Sequence, residues 1–145
     1  MTAPSFLVGI AGGTGAGKTT VSRELATSVG ERVTRIPLDN YYEDLSHLEL
    51  PEREQVNYDH PSAFEWPLLV DHLDRLCDGE AVEMPEYDFS IHNRKAETTT
   101  VEPTEILIVE GIFALYEDDV LDRLDLKVYV ETDADVQRAS DFGGE

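Results

Sequence analysis

The chain is expected to fold as an α/β layered domain on a mostly parallel sheet, and three observations carry that expectation. Apolar, strand-like runs alternate with segments of helical period along its 145 residues. The first run, residues 6–11, passes directly into a glycine-rich loop and then into a helical pattern. The run at 106–109 is continuously apolar, which marks a strand buried on both faces, and 126–130 is read as another.

Taken in order, residues 6–11 form the first strand and the loop begins at Gly12. Val21, Leu25 and Val29 then recur at i, i+4 and i+8 on a helix, and Gly30 stands where a glycine would end it. Residues 33–38 are a second strand that stops at Asp39. From 40 to 61 the composition turns polar and aromatic, the pattern of a long functional surface segment. Residues 66–78 read as a helix with Pro67 in its first turn, Leu68, Leu69, His72, Leu73 and Leu76 on one face, and Gly79 just after it. Residues 81–84 and 97–101 are expected to pair as short strands around a loop at 87–95, a small β-hairpin insertion. A short helix at 117–124 joins the last two strands, and with no internal repeat residues 1–145 read as one domain.

Composition narrows the function. Hydrophobic residues make up 41% of the chain, enough for a folded core despite the charge. No apolar run approaches the roughly 20 residues of a membrane span, and residues 1–5 lack the basic start of a secretory signal. The expected compartment is the cytoplasm, with no membrane partner. A single cysteine, Cys77, excludes an intrachain disulfide and a cysteine zinc cluster, and reads as a small apolar residue on a helix. Eleven basic against 31 acidic residues give a net charge of −20, the wrong sign for a general nucleic-acid binder. Such a surface repels itself at low salt, which suits a saline cytoplasm and a halophilic host.

The strongest chemical signal is the loop itself. Gly12, Gly13, Thr14, Gly15, Ala16, Gly17, Lys18, Thr19 and Thr20 contain the P-loop spacing, glycine, four residues, then Gly-Lys-Thr, in strand-to-helix context. Glycines let the amides curl around phosphate oxygens, and the N-terminus of the following helix adds partial positive charge. Lys18 can reach the β- and γ-phosphates, and Thr19 can place its hydroxyl on Mg²⁺. Ligands of such sheets sit beyond the carboxyl ends of the strands, where two acids are expected. Glu110 reads as a metal acid that holds Mg²⁺ directly or through water. Asp39 reads as a general base for an acceptor hydroxyl aimed at the γ-phosphate.

Further segments carry a family resemblance. Residues 9–20 (GIAGGTGAGKTT), 38–42 (LDNYY), 45–48 (LSHL), 57–61 (NYDHP), Ala63 with Phe64, 87–89 (YDF) with His92 and Arg94, 109–112 (VEGI) and 132–136 (TDADV) together resemble the uridine kinases of the phosphoribulokinase/uridine kinase group, from residue 8 to about residue 136. The resemblance implies a P-loop NTPase-type fold, ATP or GTP with Mg²⁺, and transfer of phosphate to the 5′-hydroxyl of uridine or cytidine. It implies that Asp39 is the catalytic base, that Asp59 holds the ribose hydroxyls, and that Tyr42, Tyr58, Tyr87 and His92 form the substrate pocket. A ribose diol suits a carboxylate acceptor, and a flat base suits an aromatic wall with one fixed polar partner. His60 is read as orienting the loop of Asp59, and Arg94 as either a surface ion pair or a substrate contact. The resemblance also implies a homo-oligomer, a tetramer.

Beyond residue 136 the family continues with an arginine-rich lid helix and further elements. Here 137–145 reads QRASDFGGE, Gln137 stands where the family has its first arginine, and Arg138 is out of step by one. The expectation is a chain shortened by truncation or frameshift and lacking the lid. Three readings follow: a nucleoside kinase, a kinase of the same group with a phosphorylated sugar as acceptor, and a non-catalytic nucleotide-binding remnant. The charge yields a first prediction, that the thermal midpoint rises from dilute buffer to molar KCl. A midpoint equal or higher in dilute buffer rejects the halophilic reading.

Overall fold

The computed structural model describes residues 5–12, 24 and 33–130. Four parallel strands form the main sheet in the order β2-β5-β1-β6: β1 is Phe6–Ala11, β2 Val33–Pro37, β5 Ile106–Glu110 and β6 Leu126–Tyr129. β3 (Val82–Asp88) and β4 (Asn93–Val101) make a separate antiparallel pair. The expected α/β layering and mostly parallel sheet are observed, and among the described residues no helix is long and apolar enough to cross a membrane.

Continuous apolarity in β1 and β5 is explained by burial on both faces, whereas β6, read as another buried strand, is mostly exposed at the sheet edge, its Lys127 and Tyr129 alternating with Leu126 and Val128. Leu7 and Ala11 of β1 join Ile36, Leu107 and Val109 in one core, while Val8, Ile10 and Ile108 point to the other side and pack with Val33, Ile106 and Val128. The helix Trp66–Cys77 lies over the first core and buries Leu69, His72, Leu73 and Leu76; Leu68 is only half-buried. Pro67 sits in its first turn. Past its end the chain reverses at Gly79, whose φ of +88° suits a residue without a side chain. Cys77 is half-buried in the last turn, and burial, followed by the carboxylates of Asp74, Asp125 and Asp78, pushes its thiol up. A thiol so placed is a packing group rather than a nucleophile.

The expected hairpin is observed, with longer strands than expected. Its strands run to Asp88 and from Asn93, so Tyr87 pairs with Arg94 inside the ladder and only residues 89–92 form the loop. β4 escaped the apolar pattern because its interior is polar and exposed. Its threonines instead bond across to β3: Thr98 and Thr100 donate to Glu83, and Thr99 to Glu86. The second strand ends at Pro37, and the chain passes into a 3₁₀ turn, Leu38–Tyr41. The segment 40–61 is not all surface, since Tyr41, Tyr42 and Leu45 are buried.

Gly111 is where the sheet meets that turn. A Cβ added there would lie 2.7 Å from Leu38 Cβ, and its φ of +159° is itself rarely adopted by a residue with a side chain. Gly111→Ala is therefore expected to destabilise the chain by about 1–3 kcal/mol, as overpacking does, read from chemical denaturation in molar KCl.

Candidate functional site

Register places three chain segments at one edge. Glu110 lies level with Ile10 of β1 and Pro37 of β2. Gly12 follows the end of β1, Asp39 follows the end of β2, and the Gly111 amide donates to the Ile10 carbonyl at 3.1 Å, closing the end of β5 onto β1. Asp39 is exposed in its 3₁₀ turn and Gly12 is buried. The rest of the loop, Gly13, Thr14, Gly15, Ala16, Gly17, Lys18, Thr19 and Thr20, lies outside the described residues, as do residues 131–145.

Glu110 is 9% exposed. Its Oε1 takes an ion pair from Arg35 Nη2 at 2.8 Å, and its Oε2 is buried without a hydrogen-bond partner among the described residues. An orphaned carboxylate oxygen at the carboxyl end of a strand fits a hard cation such as Mg²⁺. Among the described residues no cluster of three His, Cys, Asp or Glu could hold a metal alone. A cation at Glu110 would therefore complete its shell with groups beyond these residues, phosphate oxygens or water.

The residues expected to form a pocket meet. Tyr42 and Tyr87 have ring centroids 5.1 Å apart, Tyr58 stands edge-on to Tyr42 at 5.4 Å, and His92 stacks on Tyr58 at 5.4 Å with a 19° interplanar angle. Phe64 backs the group, stacked on Tyr42 at 4.4 Å. Hydrogen bonds fix the rings: Tyr42 Oη donates to the Tyr58 carbonyl at 3.2 Å and Tyr58 Oη to the Arg53 carbonyl at 2.8 Å. Tyr87 Oη is buried beside the Tyr58 phenol. Burial first, and then hydrogen bonding to the Tyr58 phenol, pushes the Tyr87 phenol well up, so it stays a donor.

Both expected acids act on this cluster. The Tyr42 phenol is pushed up to about 12, by burial first and then by the carboxylates of Asp39 and Asp59. Asp59 is exposed on the turn before Pro61. His60 accepts from the Ser62 amide at 3.1 Å and so caps the 3₁₀ turn Pro61–Ala63 that follows Asp59. A cavity of about 280 Å³, bounded by Glu43, Leu45, Asn57, His60 and Ser62, touches the aromatic cluster only through Tyr58.

Arg94 proves to be a clamp: Nε donates to the Tyr42 carbonyl at 2.9 Å and Nη2 pairs with Glu65 at 2.6 Å. Asn93 was missed by pattern reading. It is buried, accepts from the Leu45 amide at 2.7 Å and donates to Ser46 Oγ, tying the hairpin to the segment after Tyr42. Arg35 was missed as well; the available signal was a charge inside the strand pattern at 33–38.

Tyr41 anchors the turn that carries Asp39, through a 2.7 Å bond between its hydroxyl and His72 Nδ1 in the buried interior. Burial lowers the His72 pKa from its ordinary 6.5. The folded state therefore binds this proton less readily than the unfolded chain, and the contribution to stability is complete above 6.5 and lost as pH falls from there through the lower folded value. Denaturation midpoints should show this acid-side loss in the wild type, with the corresponding component absent from His72→Gln.

Comparison with known proteins places these features. Residues 7–141 match the model of the Phosphoribulokinase / Uridine kinase family. The chain is 62% identical over 137 residues to the uridine kinase of Halobacterium salinarum, a match covering 94% of this chain and 61% of that protein. It is 55% identical over 133 residues to the uridine kinase of Clostridium tetani, covering 91% and 64%. It thus spans less than two thirds of the length of these curated relatives. Its backbone superimposes on the structure of a possible uridine kinase from Bacillus stearothermophilus with a TM-score of 0.67 at 20% identity, over 96% of this chain and 77% of that one, a likeness of fold.

Proposed function

The chain belongs to the phosphoribulokinase/uridine kinase family, and from that premise we propose that it is the nucleoside-binding and phosphate-binding part of a kinase that transfers the γ-phosphoryl group of ATP or GTP to the 5′-hydroxyl of uridine or cytidine. The observation that carries this reading is the aromatic cluster of Tyr42, Tyr58, Tyr87 and His92.

In this reading the nucleobase lies against the tyrosine wall and the Tyr87 hydroxyl donates to a base acceptor. Asp59 accepts from the ribose hydroxyls. Asp39, at the end of β2, takes the proton of the 5′-hydroxyl as its oxygen attacks the γ-phosphorus, while the bond from that phosphorus to the β,γ-bridging oxygen breaks. Gly12, Gly13, Thr14, Gly15, Ala16, Gly17 and Thr20 would cradle the phosphates with Lys18, and Thr19 and Glu110 would hold the cation. Mg²⁺, when bound, neutralises charge on the phosphate oxygens. The products are UMP or CMP and ADP or GDP, a pyrimidine salvage step. A single catalytic domain, a homo-oligomer, a saline cytoplasm, and no membrane or nucleic-acid partner complete the proposal.

A phosphorylated sugar as acceptor is disfavoured by the arginines beside the pocket. Arg94 is engaged by the Tyr42 carbonyl and Glu65, and Arg53 by the carbonyls of Leu45, Leu48 and Ile91. Neither offers a free fork to an acceptor phosphate.

The test is a coupled assay in molar KCl with Mg-ATP and uridine, run on the chain and on Asp39→Asn. Loss of a general base should lower turnover by about 10²–10⁴-fold. Turnover equal in the variant rejects the role of Asp39. Nucleotide binding without turnover in the unmodified chain rejects the kinase in favour of a nucleotide-binding remnant.

A further inference from the structure

The Arg35–Glu110 pair is half-made. A guanidinium and a carboxylate in contact ordinarily form a two-pronged fork, with two parallel N–H···O bonds. Here a single prong, Nη2 to Oε1 at 2.8 Å, is present. The second donor, Arg35 Nε, and the second acceptor, Glu110 Oε2, are both buried and, among the described residues, both without a partner. Each would satisfy the other if the two planes were aligned, so the carboxylate is held turned away from the fork.

The strands explain how the two side chains meet. Arg35 pairs with Ile108 and Pro37 with Glu110 across the parallel β2–β5 ladder, so Arg35 and Glu110 stand one pleat apart on the same face. No motif requires an arginine at this position. A buried carboxylate does require a compensating charge, and among the described residues Arg35 supplies it to Glu110.

We infer that Arg35 is a positioning residue for Glu110: it neutralises the carboxylate while no cation is bound, grips it by Oε1 alone so that Oε2 remains for a divalent ion, and by its fixed charge keeps that ion weakly held until nucleotide phosphates arrive. The inference rests on the proposed reading of Glu110 as a cation ligand. Its consequence is that the divalent ion enters with the nucleotide rather than ahead of it. A positive charge next to a dication is repulsive wherever water is excluded, and triphosphate oxygens supply the attraction that Glu110, already paired, lacks.

The experiment measures Mn²⁺ directly, by the electron paramagnetic resonance signal of the free ion, in molar KCl so that diffuse attraction to the acidic surface is screened. Titrations compare the chain with Arg35→Met, Glu110→Gln and the double variant, with and without ADP. Without nucleotide, Arg35→Met should bind Mn²⁺ on the order of tenfold more tightly, and adding Glu110→Gln should abolish the gain. Unchanged or weaker binding in Arg35→Met, or a gain that survives Glu110→Gln, overturns the role of Arg35. If Arg35→Met does not fold by circular dichroism, Arg35→Gln is read by the same criterion. Equal Mn²⁺ affinity of the unmodified chain and Glu110→Gln in the presence of ADP overturns the reading of Glu110 itself, and is thereby distinguished from a failure confined to Arg35.

Discussion

β5 is hydrogen-bonded on both sides, to β1 and to β2, and this double pairing sets the level at which Gly12, Asp39 and Glu110 stand at the sheet edge. Side chains on a strand alternate, so a slip of one residue would carry Glu110 to the opposite face and separate it from Arg35. The level is held from outside the ladder too. Leu7 donates its amide to the Asp125 carboxylate at 2.8 Å and accepts from the Asp125 amide at 2.7 Å, pinning the start of β6 to β1. At the other end Gly111 admits Leu38 to a contact that no larger residue would allow, and Leu38 opens the turn that carries Asp39. Strand pairing, close packing and the position of an acid are here one constraint.

The aromatic cluster is organised differently. Its members come from the turn after β2, the segment before the long helix, and the hairpin, and they are joined by ring contacts and by a few bonds to backbone carbonyls. Arg94 does most of this joining, because one guanidinium reaches both the Tyr42 carbonyl and Glu65. Rings that pack edge-on and stacked in this way supply area with little side-chain entropy to lose. The acids stand at the margin, where Asp39 and Asp59 remain exposed.

Elements whose burial is uniform could be read from the chain alone. β1, β5 and the helix Trp66–Cys77 declare themselves through unbroken apolarity or a helical stripe, and Gly79 marks the helix end by its backbone freedom. β4 could not be read this way, since threonine hydroxyls and glutamates across the pair do the work that apolar packing does elsewhere. Of the site, the convergence of Tyr42, Tyr58, Tyr87 and His92 was legible through family resemblance rather than through periodicity. Arg35 was legible through neither, because its partner lies 75 positions away and only the β2–β5 register brings the two together. The glycine loop remains a statement about sequence, its residues after Gly12 lying outside those described.

Trp66 is the chain's single tryptophan. Its indole donates to the Pro61 carbonyl at 2.9 Å and its ring lies 5.5 Å from Phe64, the residue stacked on Tyr42. One chromophore is thus coupled through one intervening ring to the wall of the aromatic cluster, on the same short segment as Asp59. The molecule carries its own optical reporter: excitation confined to the indole reads the packing of that wall without a label, against a background free of any other tryptophan.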